Sequence, residues 1–226
     1  MLSVVIPTLN AAHGLGRTID CLQGRVGEII VADGGSDDGT VAVAEARGGR
    51  IVRSTAGRGT QLAAGAAAAS RGDPGGDWLL FLHGDTWLGP GWVDAAQGFM
   101  ATTSGDHRAA VFRYVLDDDA PAARRLEAVV RWRWRWLGLP YGDQGLLISR
   151  DFYHALGGFD PMPLMEDVDF VRRIGRHRLV ILEADAVTSA VRYRRGGYWR
   201  RPARNALCLC LYFLGLPPRR LVRLYG

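Results

Sequence analysis

The side chains able to do chemistry in this 226-residue chain are mainly carboxylates in three places: Asp33 with Asp37 and Asp38, Asp85, and the adjacent pair Glu166-Asp167. Carboxylates can accept hydrogen bonds from a base or ribose, hold a hard divalent cation against a diphosphate, or take a proton from an incoming hydroxyl. A cation matters wherever a sugar–diphosphate bond breaks, because it neutralises the charge that develops on the leaving oxygen. Other chemistries lack their parts. None of the 28 basic residues is a lysine, so a phosphate loop of the nucleoside-triphosphatase kind is excluded. No G-x-S-x-G occurs, and Gly35-Ser-Asp does not supply one. Gly57-Arg-Gly59 follows a strand and precedes a helix, but Leu62 replaces the third glycine of a dinucleotide fingerprint.

Those carboxylates need a scaffold, and the apolar runs describe it. Length, 48% apolar and 23% charged residues fit one globular domain, 1–226, with 192–226 a basic, aromatic and apolar helical extension. Ser3 to Asn10 and Glu28 to Asp33 are runs of the kind buried on both faces of a parallel sheet, and a helix spans Ala11 to Leu22 between them. The pattern repeats: a helix over Val41 to Ala46, a strand over Arg50 to Ser54, a helix over Thr60 to Ser70 closed by Gly72, Asp73 and Pro74, and a strand over Asp77 to Leu82. This is an open α/β sheet. Its loops beyond the strand ends would bring Pro7, Thr8, Asn10, Asp33, Arg58, His83 and Asp85 to one crevice. Asn, Asp and Ser are also ordinary helix caps after a strand, so any one of these positions serves either purpose.

The second half reads less regularly. Ala110 to Leu116 is a strand, Ala122 to Leu137 a helix, Leu146 to Ser149 a strand, Asp151 to Leu156 a short helix, and Leu179 to Leu182 a strand. Leu126, Val130, Trp134 and Leu137 align in an apolar stripe that Trp132 and Trp136 extend. Glu166, Asp167 and Asp169 would occupy the first turn of a helix running to Ile174, where negative charge suits the dipole with or without catalysis.

VVIPTLN, EIIVADGGSDDGT, LLFLHGDT and GGFDPMPLMEDVDF, in that order, resemble the family 2 glycosyltransferases, from about Ser3 to about Leu182. With PYGDQG, the chain looks closest to a short bacterial branch, some of whose members are associated with arsenosugar biosynthesis. The resemblance implies a GT-A fold: an open, mixed, Rossmann-like sheet flanked by helices. It implies that Pro7, Thr8 and Asn10 line a base pocket, that Asp33 hydrogen-bonds the base, commonly uracil, and that Gly35 and Asp37 belong to the same loop. Arg58 would lie near the base or diphosphate, and His83, Gly84 and Glu166 would contact the nucleotide-sugar. Asp85 would be the last acid of the D-x-D motif, holding Mn²⁺ or Mg²⁺, and Asp167 the base of the E-D motif. One departure is plain: His83 stands where the first acid of D-x-D belongs, and a neutral imidazole there can donate a hydrogen bond or bind Mn²⁺.

The implied activity is inverting, metal-dependent transfer of a sugar from a nucleoside-diphosphate donor, UDP-linked by the same resemblance, to a small or lipid-linked acceptor. Trp199 invites comparison with the Q-x-x-R-W motif of processive members, but Arg195 and Tyr198 hold the Gln and Arg positions, so single transfers are expected. Two other classes stay open: a nucleotidyltransferase of related fold, which would release pyrophosphate, and a non-catalytic nucleic-acid or phosphate-binding module. The net charge of +5 is thin support for the latter, and no nucleic-acid partner is expected.

Cys21, Cys208 and Cys210 suit a reducing compartment, and the start of the chain lacks a basic leader, so a cytoplasmic protein is expected. The apolar run Ala206 to Leu216 is half of the ~20 residues a membrane span needs. Arg192 to Arg204, interleaved with Tyr193, Tyr198 and Trp199, leads into that run and offers either a peripheral membrane contact or a packed helix with solvated arginines. Trp132, Trp134 and Trp136 alternate with Arg131, Arg133 and Arg135, and alternate helical positions lie about 200° apart. Some must therefore pack inward while others face an acceptor, a partner subunit or a headgroup region. The sequence sets no oligomeric state.

Overall fold

The computed structural model describes residues 2–70, 77–103 and 105–225. β1 (Leu2–Thr8), β2 (Glu28–Asp33), β3 (Arg50–Arg53) and β4 (Trp78–Phe81) pair in parallel around β1, in the order β3-β2-β1-β4. Their helices are α1 (Ala12–Asp20), α2 (Thr40–Glu45) and α3 (Arg58–Ala68). Then the direction reverses. After β5 (Thr86–Leu88), α4 (Trp92–Thr102), β6 (Ala109–Leu116) and α5 (Pro121–Leu137) comes β7 (Leu146–Ser149), which pairs antiparallel with both β4 and β6. α6 (Arg150–Ala155) and α7 (Glu166–Ile174) precede β8 (Leu179–Thr188), which runs parallel to β6 and antiparallel to β5 and completes one eight-stranded sheet. The chain ends in α8 (Val191–Gly196), α9 (Arg200–Phe213) and α10 (Pro218–Tyr225).

The two-residue period of the strands builds a core on each face of the sheet. Val4, Ile6, Leu80 and Leu82 pack with Leu15, Ile19, Trp92 and Phe99 from α1 and α4. Val5, Leu79 and Phe81 point the other way, onto Leu62, Phe152, Phe170 and the C-terminal Cys208, Leu209 and Leu221. Phe81, Phe159 and Phe170 form a chain of ring contacts, with centroids 4.9 and 4.4 Å apart, that ties β4 to α7. Each such pair contributes roughly 0.5–1.5 kcal/mol beyond area burial.

Several boundaries differ from the sequence expectation. The last strand was expected to stop at Leu182 but continues to Thr188 past Glu183 and Asp185. Those polar residues project away from the core while Leu182, Ala184 and Ala186 stay buried, and pairing with β5, itself unforeseen, holds the extra length. α3 begins at Arg58, two residues early, and the expected stop at Gly72, Asp73 and Pro74 lies outside the described residues. On α5, Leu126 and Val130 are buried and Trp134 packs on the core, but Leu137, Trp132 and Trp136 are exposed. The apolar stripe is thus narrower than the residue types suggest.

The start of α3 depends on a glycine. A Cβ on Gly59 would lie 2.2 Å from the carbonyl oxygen of Asp160 and 2.9 Å from that of Met162. Both contacts are backbone, so neither can swing aside. Gly59→Ala is expected to cost about 1–3 kcal/mol of stability, read as a lower urea midpoint; an unchanged midpoint would show that α3 retreats from this loop at no cost.

Candidate active site

Two cavities open where the parallel half of the sheet meets its antiparallel half. The larger, about 750 Å³, is walled by Pro7, Thr8 and Asn10 after β1, by Arg58 and Gln61 of α3, by His83, Gly84 and Asp85 after β4, by Glu166, and by Arg192 and Arg195 of α8. The smaller, about 100 Å³, is lined by Tyr141, Asp143 and Asp167, by Thr188 and Ser189 after β8, and by Arg201 and Asn205 of α9. Arg58, His83, Asp85, Glu166 and Arg192 border both.

The sequence-expected residues divide accordingly. Pro7, Thr8, Asn10, Arg58, His83, Gly84, Asp85 and Glu166 line the larger cleft, and Asp167 faces the smaller one. Asp33, Gly35 and Asp37 stand directly behind the wall that Thr8 and Asn10 form, at the end of β2 and in the loop that follows it. Asp33 is 1% exposed and its carboxylate is engaged locally: it accepts from Thr8 Oγ1 (3.2 Å), Ser36 Oγ (2.5 Å), and the N–H groups of Gly35 and Ser36 (both 3.0 Å). Burial pushes this carboxyl up, but the hydrogen bonds from Ser36, Gly35 and Thr8 outweigh it and hold it below the usual range. The exposed Asp37 donates its backbone N–H to Asn10 Oδ1 (3.0 Å), and Ser36 Oγ accepts from Asn10 N (2.9 Å), so the Gly34 to Thr40 loop fixes the wall of the cleft from behind. Asn10 takes a left-handed conformation (φ 52°) within this lacing.

On the opposite wall, Met165 also adopts a positive φ (68°), unusual for a side chain of its size, and turns the chain so that α7 opens with Glu166 and Asp167. Glu166 is 1% exposed and lies 3.4 Å from the Arg58 guanidinium. Burial, then the neighbouring Asp167, raises its affinity for a proton, and Arg58 opposes them. Asp167 accepts from Gly142 N (3.0 Å) through Oδ2 and from Val168 N (2.8 Å) through Oδ1. The first bond joins α7 to the PYGDQG segment, where a Cβ on Gly142 would lie 2.4 Å from His83 Nε2. Glycine is therefore the residue that lets His83 and Asp167 approach one peptide. His83 itself stays neutral, because burial, then Arg58 and Arg192, depress its pKa well below the ordinary imidazole value.

Asp143, within the PYGDQG segment, is the main residue of this site that the sequence does not single out. The residue is half-buried, yet its Oδ1 is enclosed without a hydrogen-bond partner. Its pKa is raised to about 6, chiefly by burial and with help from Asp167 and Asp85, against the opposing pull of Arg133 and Arg58. Arg192, Arg201 and Asn205 also line the site, although the sequence offers the Arg192 to Arg204 stretch only a membrane contact or solvated arginines and marks Asn205 in no way; Arg192 lies 3.7 Å from Asp85, close enough for an ion pair.

Among the described residues no three His, Cys, Asp or Glu side chains cluster tightly enough to cage an ion. Mg²⁺ bridging phosphates needs no cage, since one or two carboxylates suffice with substrate oxygens and water. Asp85, one-quarter exposed at the junction of the cavities, and the partnerless Asp143 oxygen on the inner side fit such an ion.

A parallel half joined to an antiparallel half, with a cleft at the junction, is the arrangement of the GT-A glycosyltransferase fold. The profile of glycosyl transferase family 2 matches residues 3–161, and the chain belongs to that family. Glu166 and Asp167 lie just past the matched segment. Among solved structures, glucosyl-3-phosphoglycerate synthase from Mycobacterium tuberculosis with Mn²⁺ and UDP-glucose is 22% identical, with 92% of this chain and 78% of that one covered, at a TM-score of 0.59. The same enzyme with Mg²⁺ and UDP is 26% identical over 84% of this chain and 69% of that one, at 0.57. S. aureus TarS 1-349 is 13% identical over 99% and 69% of the two chains, at 0.63. No curated protein sequence matches.

The Asp143 geometry makes a stability prediction. The unfolded carboxyl titrates near about 3.9 and the folded one at about 6. Between these values the folded state binds more protons, so the favourable contribution present at low pH is lost as pH rises through the window. In the absence of divalent cations, Asp143→Asn is expected to raise the melting temperature by a few degrees above about pH 7 and by much less below about pH 4. An equal shift at both ends would show that the carboxyl is solvated when the protein is folded.

Proposed function

We propose that the protein transfers a sugar from a UDP-linked donor to the hydroxyl of a small or lipid-linked acceptor, one residue at a time and with inversion. The observation that carries this reading is the shared wall of the two cavities, because direct transfer needs a donor site and an acceptor site that meet at the reacting carbon. The larger cleft suits a nucleoside diphosphate: Pro7, Thr8 and Asn10 for the base and ribose, Arg58, Arg192 and Arg195 for the phosphates. Asp33, through Thr8 and the loop behind it, shapes the base pocket, and Gly35 and Asp37 act from that loop. The smaller cavity takes the acceptor.

In the reaction, Asp167 removes the proton from the acceptor hydroxyl, whose oxygen forms a bond to the anomeric carbon. The bond from that carbon to the phosphate oxygen breaks, its electron pair stays on the departing UDP, and attack from the opposite face inverts the centre. Two backbone hydrogen bonds hold the Asp167 carboxylate in position. Asp85 would hold Mn²⁺ or Mg²⁺, which when bound supplies Lewis-acid neutralisation of the diphosphate. Arg192, 3.7 Å from Asp85, would then be available to the phosphates. The UDP complexes of the mycobacterial synthase with Mn²⁺ or Mg²⁺ support this choice of donor and ion.

Incubation with a panel of nucleotide-sugars should give slow release of UDP from UDP-sugars, lost on chelation. Asp167→Asn is expected to lower that release by about 100-fold or more while UDP affinity, measured by calorimetry, changes little. Release near the wild-type rate from this variant would remove Asp167 from the base role, and release undiminished by chelator would remove the ion from Asp85.

A further inference from the structure

The tryptophan and arginine run of α5, which the transfer chemistry does not use, is resolved by the fold into two faces. Ala123, Leu126 and Val130 are buried and Trp134 packs on the core. On the far side, Val129 (51% exposed), Trp132 (58%) and Trp136 (63%), spaced three and four residues apart, form one continuous stripe, with Leu137 (49%) at its end. Exposed arginines 125, 131 and 135 flank it, and no acid occurs from Ala128 to Leu137. Arg176 donates to the carbonyls of Arg135 (2.5 Å) and Trp136 (3.4 Å), adding a cation at the helix end. Beyond it, the exposed Arg172 reaches over the ring of Phe213, beside Leu214, which is 82% exposed. Large aromatic side chains ringed by guanidinium groups suit the headgroup level of a bilayer, where the apolar body is buried and the cations meet lipid phosphates.

We infer that the outer face of α5 is an interfacial docking surface for an anionic lipid bilayer. Charge chooses this occupant over a second copy of the chain, since a symmetric contact here would bring arginines against arginines. Aliphatic Val129 and Leu137 within the stripe offer no stacking platform, which disfavours single-stranded nucleic acid. Among the described residues no helix is long and apolar enough to cross a membrane, so the helix lies in the interface plane. The inner face of α5 carries the consequence. Arg133 stacks 3.3 Å from the centre of the Tyr141 ring, which lines the smaller cavity, and donates to the Leu139 carbonyl (2.9 Å). Docking would therefore set that cavity one helix diameter, roughly 10 Å, behind the headgroups, within reach of a lipid-linked acceptor. This last step rests on the proposed transfer function; the docking does not.

The test is co-sedimentation of the full chain, without nucleotide-sugar, with vesicles of phosphatidylcholine alone or mixed with phosphatidylglycerol. The wild type is expected to bind the mixed vesicles and to leave pure phosphatidylcholine, with a blue shift of tryptophan fluorescence. Trp132→Ser with Trp136→Ser should lower binding to the mixed vesicles by about tenfold or more, and Arg131→Gln with Arg135→Gln should abolish the preference for anionic lipid. Both variants are on the surface, and an unchanged melting temperature confirms their folding. Wild-type binding to neither vesicle, equal binding by the tryptophan variant, a dimer that the tryptophan variant dissociates, or tighter binding to a single-stranded oligonucleotide would each overturn the inference. Because UDP release is read separately, failure of docking and failure of the transfer reading are distinguishable.

Discussion

The arrangement of the site depends on keeping four carboxylates, Asp85, Asp143, Glu166 and Asp167, around one small cavity. Like charges a few ångströms apart in a partly desolvated space repel by on the order of a few kcal/mol, so each must be compensated or must take up a proton. Three are compensated by different means. Arg192 answers Asp85, Arg58 answers Glu166, and two backbone N–H groups hold Asp167. Asp143 has no hydrogen-bond partner at Oδ1, and burial raises both its pKa and that of Glu166, whose ion pair with Arg58 only partly offsets the effect.

Those compensations work only if distant segments stay in register. The ring contacts from Phe81 through Phe159 to Phe170 couple the strand leading to His83 and Asp85 with the helix that begins at Glu166. Gly142 lets His83 and Asp167 meet across one peptide, while Met165 accepts a left-handed conformation to start α7 in the right direction. The C-terminal helices add a third component. They bury Cys208, Leu209 and Leu221 in the core and present Arg192 and Arg195 to the larger cleft and Arg201 and Asn205 to the smaller cavity. The same segment thus stabilises the sheet and completes the site.

Strands buried on both faces announce themselves by uninterrupted apolar runs, so β1, β2 and β4 could be read directly, and with them the loops carrying Asn10, His83 and Asp85. The acidic start of α7 was equally legible from the prolines before it and the apolar spacing after it. Residues whose importance comes from what they meet across the fold left no local mark. Asp143 lay in an ordinary-looking turn, Arg192 among many arginines, and β5 in three residues whose partner is about a hundred positions away.

Composition and periodicity alone therefore determined an α/β sheet, the clustering of polar groups at its strand ends, and the exclusion of lysine-dependent phosphate loops. Only the tertiary structure decided that Asp33 is buried and bonded to Thr8 and Ser36, that Asp143 lines the inner cavity, and which tryptophans of α5 face outward. The physical reason is range. Hydrogen-bond geometry and helical spacing act over a few residues and are written in the local sequence, whereas desolvation and charge pairing depend on neighbours that only folding supplies.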